Sequence, residues 1–163
     1  MTTLLTDVGM KVDMDTDTGI SKGMASDMGS ALASQGPIVT SLTATYPQAF
    51  AIYAFGSQVQ GTAGPESDLD LAILLPGYAE PLHLWDLAGR LADVVNRHVD
   101  LLDFRAASTV MQYQIITTGQ RLWHSGVDAG LFESYVLSEM TALNTARAGL
   151  LADIRKDGRI YAR

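Results

Sequence analysis

The 163-residue sequence contains no cysteine, which excludes thiol catalysis, thiolate zinc sites and disulfide bonds. Basic residues are also few, since 11 Lys and Arg stand against 18 Asp and Glu and the formal net charge is −7. Binding a nucleic-acid backbone requires clustered positive charge, so this balance argues against a direct nucleic-acid partner. No apolar run approaches the ~18 residues of a membrane span and no secretion signal is visible. We therefore expect a cytoplasmic protein without a membrane partner.

Aromatic residues are missing from the first 45 positions, although 47% of the whole chain is hydrophobic. We expect residues 1–27 to form a poorly ordered N-terminal arm, with an ordered extension as the alternative. Residues 28–163 have enough apolar side chains and few enough charges to form one globular domain.

Hydrophobic periodicity predicts strands that alternate with helices. The predicted strands cover residues 48–55, 68–75, 98–104 and 120–124, and the predicted helices cover about residues 37–46, 81–97, 108–118 and 128–154. A polar turn is expected after the first strand. The last helix has one apolar stripe formed by Val136, Met140, Leu143, Leu150 and Ile154. This pattern predicts an α/β or α+β fold, with a small mixed β-sheet flanked by helices and a long C-terminal helix.

The chemistry of the chain is expected at Asp68 and Asp70, which stand at the start of an apolar strand. Side chains two residues apart on a strand point to the same face, so the two carboxylates share one environment. Two ionised carboxylates beside apolar residues repel each other unless a cation lies between them. Oxygen ligands favour Mg²⁺ or Mn²⁺ over zinc. The alternative is that both acids end a loop and lie in water.

Two further features strengthen the prediction of a metal site. Gly56 and Ser57 end the first strand, where backbone N–H groups and a hydroxyl can hold phosphate oxygens. Asp100 interrupts a later apolar strand, and we expect it to be a third metal ligand. Asp103 should face the opposite side as a strand-end or helix-cap acid. The three histidines, including His98, have no metal-ligand spacing and are expected to be surface or packing residues.

The arrangement G-S, ten residues, then D-x-D, with a third acid on the next strand, resembles the signature of the minimal nucleotidyltransferases of the DNA polymerase β superfamily. In particular, it is similar to the MntA-type antitoxins of HEPN/MNT toxin–antitoxin pairs. The similarity is clear over about residues 38–125. Relatives often carry arginines after Gly-Ser, as in G-S-R-A-R-G, whereas this chain has Gln58 and Gln60.

The resemblance implies a polymerase β-like fold in which Asp68, Asp70 and Asp100 are the catalytic residues and bind two Mg²⁺ ions. ATP, the implied substrate, would lie against Gly56 and Ser57, and Asp100 would serve the attacking hydroxyl. The implied acceptor is a tyrosine of a cognate HEPN ribonuclease toxin. Two alternatives remain open, which are nucleotide transfer to a small-molecule hydroxyl and an antitoxin that acts by binding alone.

Overall fold

The computed structural model describes the backbone of residues 28–157 and the side chains of all of these except residues 153 and 155–157. The expected N-terminal arm and the last six residues lie outside this range. After a helical turn at residues 28–31, the elements follow in the order α1 (Pro37–Thr45), β1 (Ala51–Phe55), α2 (Ser57–Gln60), β2 (Leu69–Leu74), α3 (Pro81–Val95), β3 (Val99–Asp103), α4 (Thr109–Thr118), β4 (Gln120–His124) and α5 (Asp128–Asp157). The predicted α/β class and the long C-terminal helix are confirmed, and the predicted strand and helix ends are correct to within three residues.

The four strands form one mixed sheet in the order β3-β2-β1-β4. β1 is antiparallel to both of its neighbours, whereas β2 and β3 are parallel and are joined by α3. A parallel pair requires such a crossover helix. The C-terminal end of β1 and the N-terminal ends of β2 and β3 therefore meet at one end of the sheet, because Asp70 lies opposite both Phe55 and Asp100.

Each face of the sheet is covered by two helices. On the first face, odd-numbered β2 residues such as Leu71 pack with α1 and α3. On the second face, even-numbered β2 residues such as Ala72 pack with α4 and α5. Alternation of side chains along each strand divides the core into these two layers.

Helix α3 begins and ends at the residues that its sequence specifies. Pro81 occupies the first turn, and the Glu80 carboxylate caps the helix by accepting a 2.8 Å hydrogen bond from the His83 backbone N–H. Asn96 ends the helix in the left-handed conformation, with φ +49°. Leu87 and Leu91 are completely buried against the first face of the sheet. The helix is thus fixed beside β3.

Helix α5 contacts the rest of the domain mainly through its first turns. Val136 is completely buried, but Leu150, from the same predicted stripe, is 52% exposed. Met140, Leu143 and Ile154 are half-buried. Among the described helices, none is long and apolar enough to cross a membrane.

Candidate active site

Three carboxylates meet at the end of the sheet where β2 and β3 begin. Asp68 immediately precedes β2, and Asp70 is the second residue of that strand. Asp100 is the second residue of β3 and lies in register with Asp70. Since residues in register on parallel strands point to the same face, Asp70 and Asp100 share one side of the sheet. The structure therefore brings together the three acids that the sequence predicts as ligands.

The cluster carries uncompensated negative charge. Burial raises the pKa of Asp70 above its ordinary value, and the nearby charges of Asp100 and Asp68 raise it further. Among the described residues, no lysine or arginine nitrogen lies within 4.0 Å of these carboxylates. One half-buried and two exposed carboxylates that repel one another, with no lysine or arginine partner among the described residues, fit a divalent cation with oxygen ligands.

His98 stands beside the acids, which the sequence analysis did not predict. Its Nδ1 lies 3.6 Å from Asp68 Oδ1 and 3.9 Å from Asp100 Oδ1. One ligand atom from each of these three residues falls within 4.8 Å of the others. The side chain is exposed, as predicted, but it also belongs to the site. The available signal was its position two residues before Asp100, which places both on the same face.

Gly56 makes room for the Asp70 carboxylate. Its φ is +72°, a conformation that residues with a side chain rarely adopt, and a Cβ at this position would collide with Asp70 Oδ2. The close approach of β1 to the acid cluster therefore requires glycine.

The residues after Gly56 form the short helix α2 instead of the predicted polar turn. Its formation is possible because Gly61 ends it with φ +73°, and the Gly61 N–H donates back to the Ser57 carbonyl. Gly56 caps the helix without any side-chain hydrogen bond. The N–H groups of the first turn, starting with Ser57, thus have no acceptor within the helix and remain available for an anion.

Two side chains hold the backbone just before Asp68. Gln58 Nε2 donates to the Ser67 carbonyl over 2.9 Å, and Arg97 donates from a guanidinium nitrogen to the same oxygen over 2.6 Å. These bonds link the Gly-Ser segment and the end of α3 to the acid cluster. The sequence contained no signal for this contact, because the three residues lie far apart along the chain.

Asp103 does not join the cluster. It ends β3, faces the opposite side from Asp100 as predicted, and is buried. Its carboxylate accepts 2.8 Å hydrogen bonds from the backbone N–H groups of Ala79 and Arg105. Asp103 therefore anchors two loops.

The sequence matches the family model described as polymerase beta, nucleotidyltransferase over residues 39–126. It is 36% identical over 117 residues to the protein adenylyltransferase MntA of Shewanella oneidensis, covering 72% of this chain and 84% of that protein. The family match includes the Gly-Ser segment, β2 and β3.

Solved structures agree with this assignment. A crystal structure of a toxin–antitoxin pair with AMP-PNP matches with a TM-score of 0.66 and 36% identity, covering 72% of this chain and 95% of that one. A second match is to a chain of the complex between the tri-AMPylated HEPN toxin of Shewanella oneidensis and the MNT antitoxin. Its TM-score is 0.61 and its identity 32%, and the match covers 72% of this chain and 92% of that one. With its acid cluster beside the Gly-Ser segment, this chain belongs to the polymerase β nucleotidyltransferase family.

Proposed function

We propose that this protein is a Mg²⁺-dependent protein adenylyltransferase and an antitoxin, which transfers AMP from ATP to a tyrosine of a cognate HEPN ribonuclease toxin. The observation that carries the proposal is the cluster of Asp68, Asp70 and Asp100 next to Gly56 and Ser57. The relative named as a protein adenylyltransferase and the complex with an AMPylated toxin support the same reaction.

Asp68, Asp70 and Asp100 would hold two Mg²⁺ ions. When bound, these ions supply charge neutralisation for the triphosphate and lower the pKa of the acceptor hydroxyl. The carboxylates are already gathered at one end of the sheet, which keeps the cost of ordering them on binding low. His98 Nδ1 lies beside these acids, 3.6 Å from Asp68 Oδ1 and 3.9 Å from Asp100 Oδ1, which is beyond hydrogen-bond distance.

The nucleotide and the acceptor approach the site from opposite sides. Gly56 and Ser57 follow β1, so the triphosphate lies on the β1 side and accepts hydrogen bonds from the free N–H groups of α2. Asp100 belongs to β3 on the other side of β2. This separation suits an in-line displacement, in which the attacking and leaving oxygens must lie on opposite sides of the phosphorus.

The proposed transfer forms one bond, breaks one bond and moves one proton. The tyrosine oxygen bonds to the α-phosphorus of ATP as the bond from that phosphorus to the pyrophosphate oxygen breaks. Asp100 accepts the phenolic proton. The product tyrosine carries a bulky, negatively charged AMP group, which interferes with RNA binding by like-charge repulsion.

The net charge of −7 favours docking on a basic, RNA-binding surface of the toxin. The cytoplasm supplies both ATP and Mg²⁺, and we place the reaction there.

The direct test is to incubate the purified protein with ATP, Mg²⁺ and the purified toxin, and to weigh the toxin by mass spectrometry. We expect AMP adducts on the toxin with wild-type protein and none with D70N. The exposed acid Glu139 on α5 provides a matched control, so E139Q should give wild-type adducts.

The absence of any adduct with the wild type would disprove the proposal. Turnover of ATP with a small hydroxyl compound instead would favour the small-molecule alternative. If a variant without all three carboxylates protected cells fully from the toxin, neutralisation by binding alone would be the correct function.

A further inference from the structure

A groove runs along the free edge of the sheet, between β3 and α3. Near the active site it is a cavity of about 750 Å³, lined by Trp85 and Gly89 of α3 and by His98 to Leu101. A second cavity of about 480 Å³ continues it toward the other end of β3, past Tyr78. The two cavities share Pro81 and Leu84, so they form one channel along the strand.

The backbone of β3 has unused hydrogen-bonding groups in this groove. β3 is the terminal strand of the sheet and pairs only with β2. His98 C=O accepts from Leu69, and Phe104 N–H donates to Ile73. Because pairing alternates along a parallel strand, the even-numbered residues of β3 bond to β2, and the N–H and C=O groups of Val99 and Leu101 face the groove. No hydrogen bond among the described residues engages them.

The groove also has the side chains of a protein-binding surface. Trp85 and Tyr78 line it and are each 75% exposed. Aromatic residues at this exposure are characteristic of protein interfaces, where they are buried by the partner. A Cβ at Gly89 would meet nothing within 4 Å, so the floor of the groove is open at this point.

The groove leads directly to the acids. Asp100 and His98 belong both to its lining and to the active-site cluster. Asp86, Asp93 and Asp100 line it together with Arg90, so the carboxylates outnumber the guanidinium. An occupant of the groove therefore reaches the acceptor side of the site, and a basic or neutral segment fits better than an acidic one.

We propose that the protein acceptor presents its tyrosine on an extended segment, which adds to β3 as a further strand and fills the groove. The proposal rests on the proposed function and identifies how that site selects its substrate. Main-chain hydrogen bonds to Val99 and Leu101 fix the register of the segment, and Trp85 covers it. A segment matching β3 spans about 17 Å at ~3.3 Å per residue. The fixed register places the hydroxyl at Asp100.

The first experiment fills the groove without changing the acids. Gly89→Trp introduces a large side chain, and Gly89→Ala is the matched control, because its added methyl group has free space. We expect G89W to lower kcat/KM for the toxin at least tenfold, mainly through KM, while G89A stays within twofold of wild type. Binding of AMP-PNP with Mn²⁺ should be unchanged in both.

A second pair covers the case in which G89W does not fold. Trp85→Ala removes the exposed aromatic residue, whereas Val94→Ala truncates an exposed α3 residue that is not part of the groove lining. W85A should raise KM for the toxin at least fivefold, and V94A should leave it unchanged. If the folded groove variants modify the toxin as fast as their controls, the groove is not the docking site, although the proposed function stands.

Amide hydrogen exchange tests strand addition independently of turnover. With D70N, AMP-PNP and Mn²⁺, adding the toxin should slow exchange at Val99 and Leu101. β4, at the opposite edge of the sheet, is the internal control and should not change. Protection at β4 alone, or at neither edge in a formed complex, would overturn the proposal. If the wild type left no adduct on the toxin, the proposed function would fail, and this measurement would still decide the docking mode.

Discussion

Asp70 lies in an unfavourable electrostatic environment. It is half-buried, is repelled by the charges of Asp100 and Asp68, and lies against Gly56. Its raised pKa shows that the folded protein disfavours the charge on this carboxylate. In the proposed reaction the same carboxylate is a metal ligand. Stability and activity should therefore respond to its charge in opposite directions.

Replacing Asp70 with Asn keeps the shape and removes the charge. We expect D70N to lose adenylyl transfer by at least a hundredfold and, without metal, to melt above the wild type at neutral pH, by about 2–4 °C per kcal/mol of repulsion relieved. An acid whose folded pKa is raised destabilises the folded state fully above that pKa and not at all below its unfolded pKa. The difference in melting temperature should thus shrink as the pH falls. A lower melting temperature for metal-free D70N would contradict this account.

Gly56 can be tested against Gly61, which has nearly the same φ. Both G56A and G61A should lose about 1–2 kcal/mol of stability, because alanine disfavours positive φ. Only at Gly56 does the new Cβ collide with the Asp70 carboxylate, whereas the space at Gly61 is open. We therefore expect G61A to retain most of its activity and G56A to lose it. Equal initial rates for the two variants would show that the collision has no consequence.

Gln58 departs from the arginine that is common after Gly-Ser in the family, and its side chain has a structural contact in this protein. Relatives that resemble this chain often have arginine after Gly-Ser, and the substitution removes positive charge that could neutralise phosphate. In this structure Gln58 instead donates to the Ser67 carbonyl together with Arg97. An amide is sufficient for that bond, and the contact fixes the backbone that leads into Asp68.

At the scale of secondary structure, the β2-α3-β3 unit does most to build the site. α3 returns the chain so that β3 lies parallel to β2, and this places Asp100 next to Asp70. The same helix forms one wall of the groove along β3. The proposed metal ligands and the proposed docking surface are therefore positioned by one crossover connection, and a shift of α3 would disturb both.

The burial of helix α5 changes along its length: several apolar side chains near its beginning are buried, whereas those further along are half-buried or exposed. Val136→Ala should lower the free energy of unfolding by about 2 kcal/mol, since the side chain is completely buried against β1 and α4 residues. Leu150→Ala should change it by less than about 0.5 kcal/mol, because that side chain is half exposed. Urea denaturation measures both values. A large loss for L150A in the isolated protein would mean that the end of α5 packs more tightly than the exposure of Leu150 indicates.

At the scale of the whole molecule, the acid cluster adds to a protein that is already negative, with 18 acidic and 11 basic residues. A divalent cation therefore relieves both the local repulsion and part of the general repulsion. Binding to the folded state alone stabilises it in proportion to ligand concentration.

Mn²⁺ should accordingly raise the melting temperature. At a hundred times Kd the gain is about 2.7 kcal/mol, or roughly 5–10 °C for a chain of this size. A variant with Asn at positions 68, 70 and 100 should show no such rise, and differential scanning fluorimetry can compare the two proteins. An equal rise in both would locate the metal elsewhere.

Local patterns in the sequence were sufficient for most of the elements and for a prediction of the site residues, which stays a prediction. Apolar periodicity predicted the strands and helices, and the D-x-D spacing placed Asp68 and Asp70 on one face, because side-chain direction depends only on neighbouring residues. Gly56 and Ser57 were predicted from the polar, glycine-containing span that follows the first strand and from the family that the motif resembles. The short helix α2 was wrongly predicted as a turn, because it depends on a cap at Gly61 that periodicity does not reveal.

Only the tertiary structure could decide what lies between distant segments. The order β3-β2-β1-β4 places Asp100 against Asp70, brings His98 to the acids and leaves the edge of β3 open. Arg97 reaches Ser67 across 30 residues of sequence for the same reason. Strand pairing is a long-range choice, set by which apolar faces can be buried together, and no local pattern contains it. Short sequence motifs therefore predicted the candidate chemical groups, whereas the packing of distant segments determined which surface leads to them.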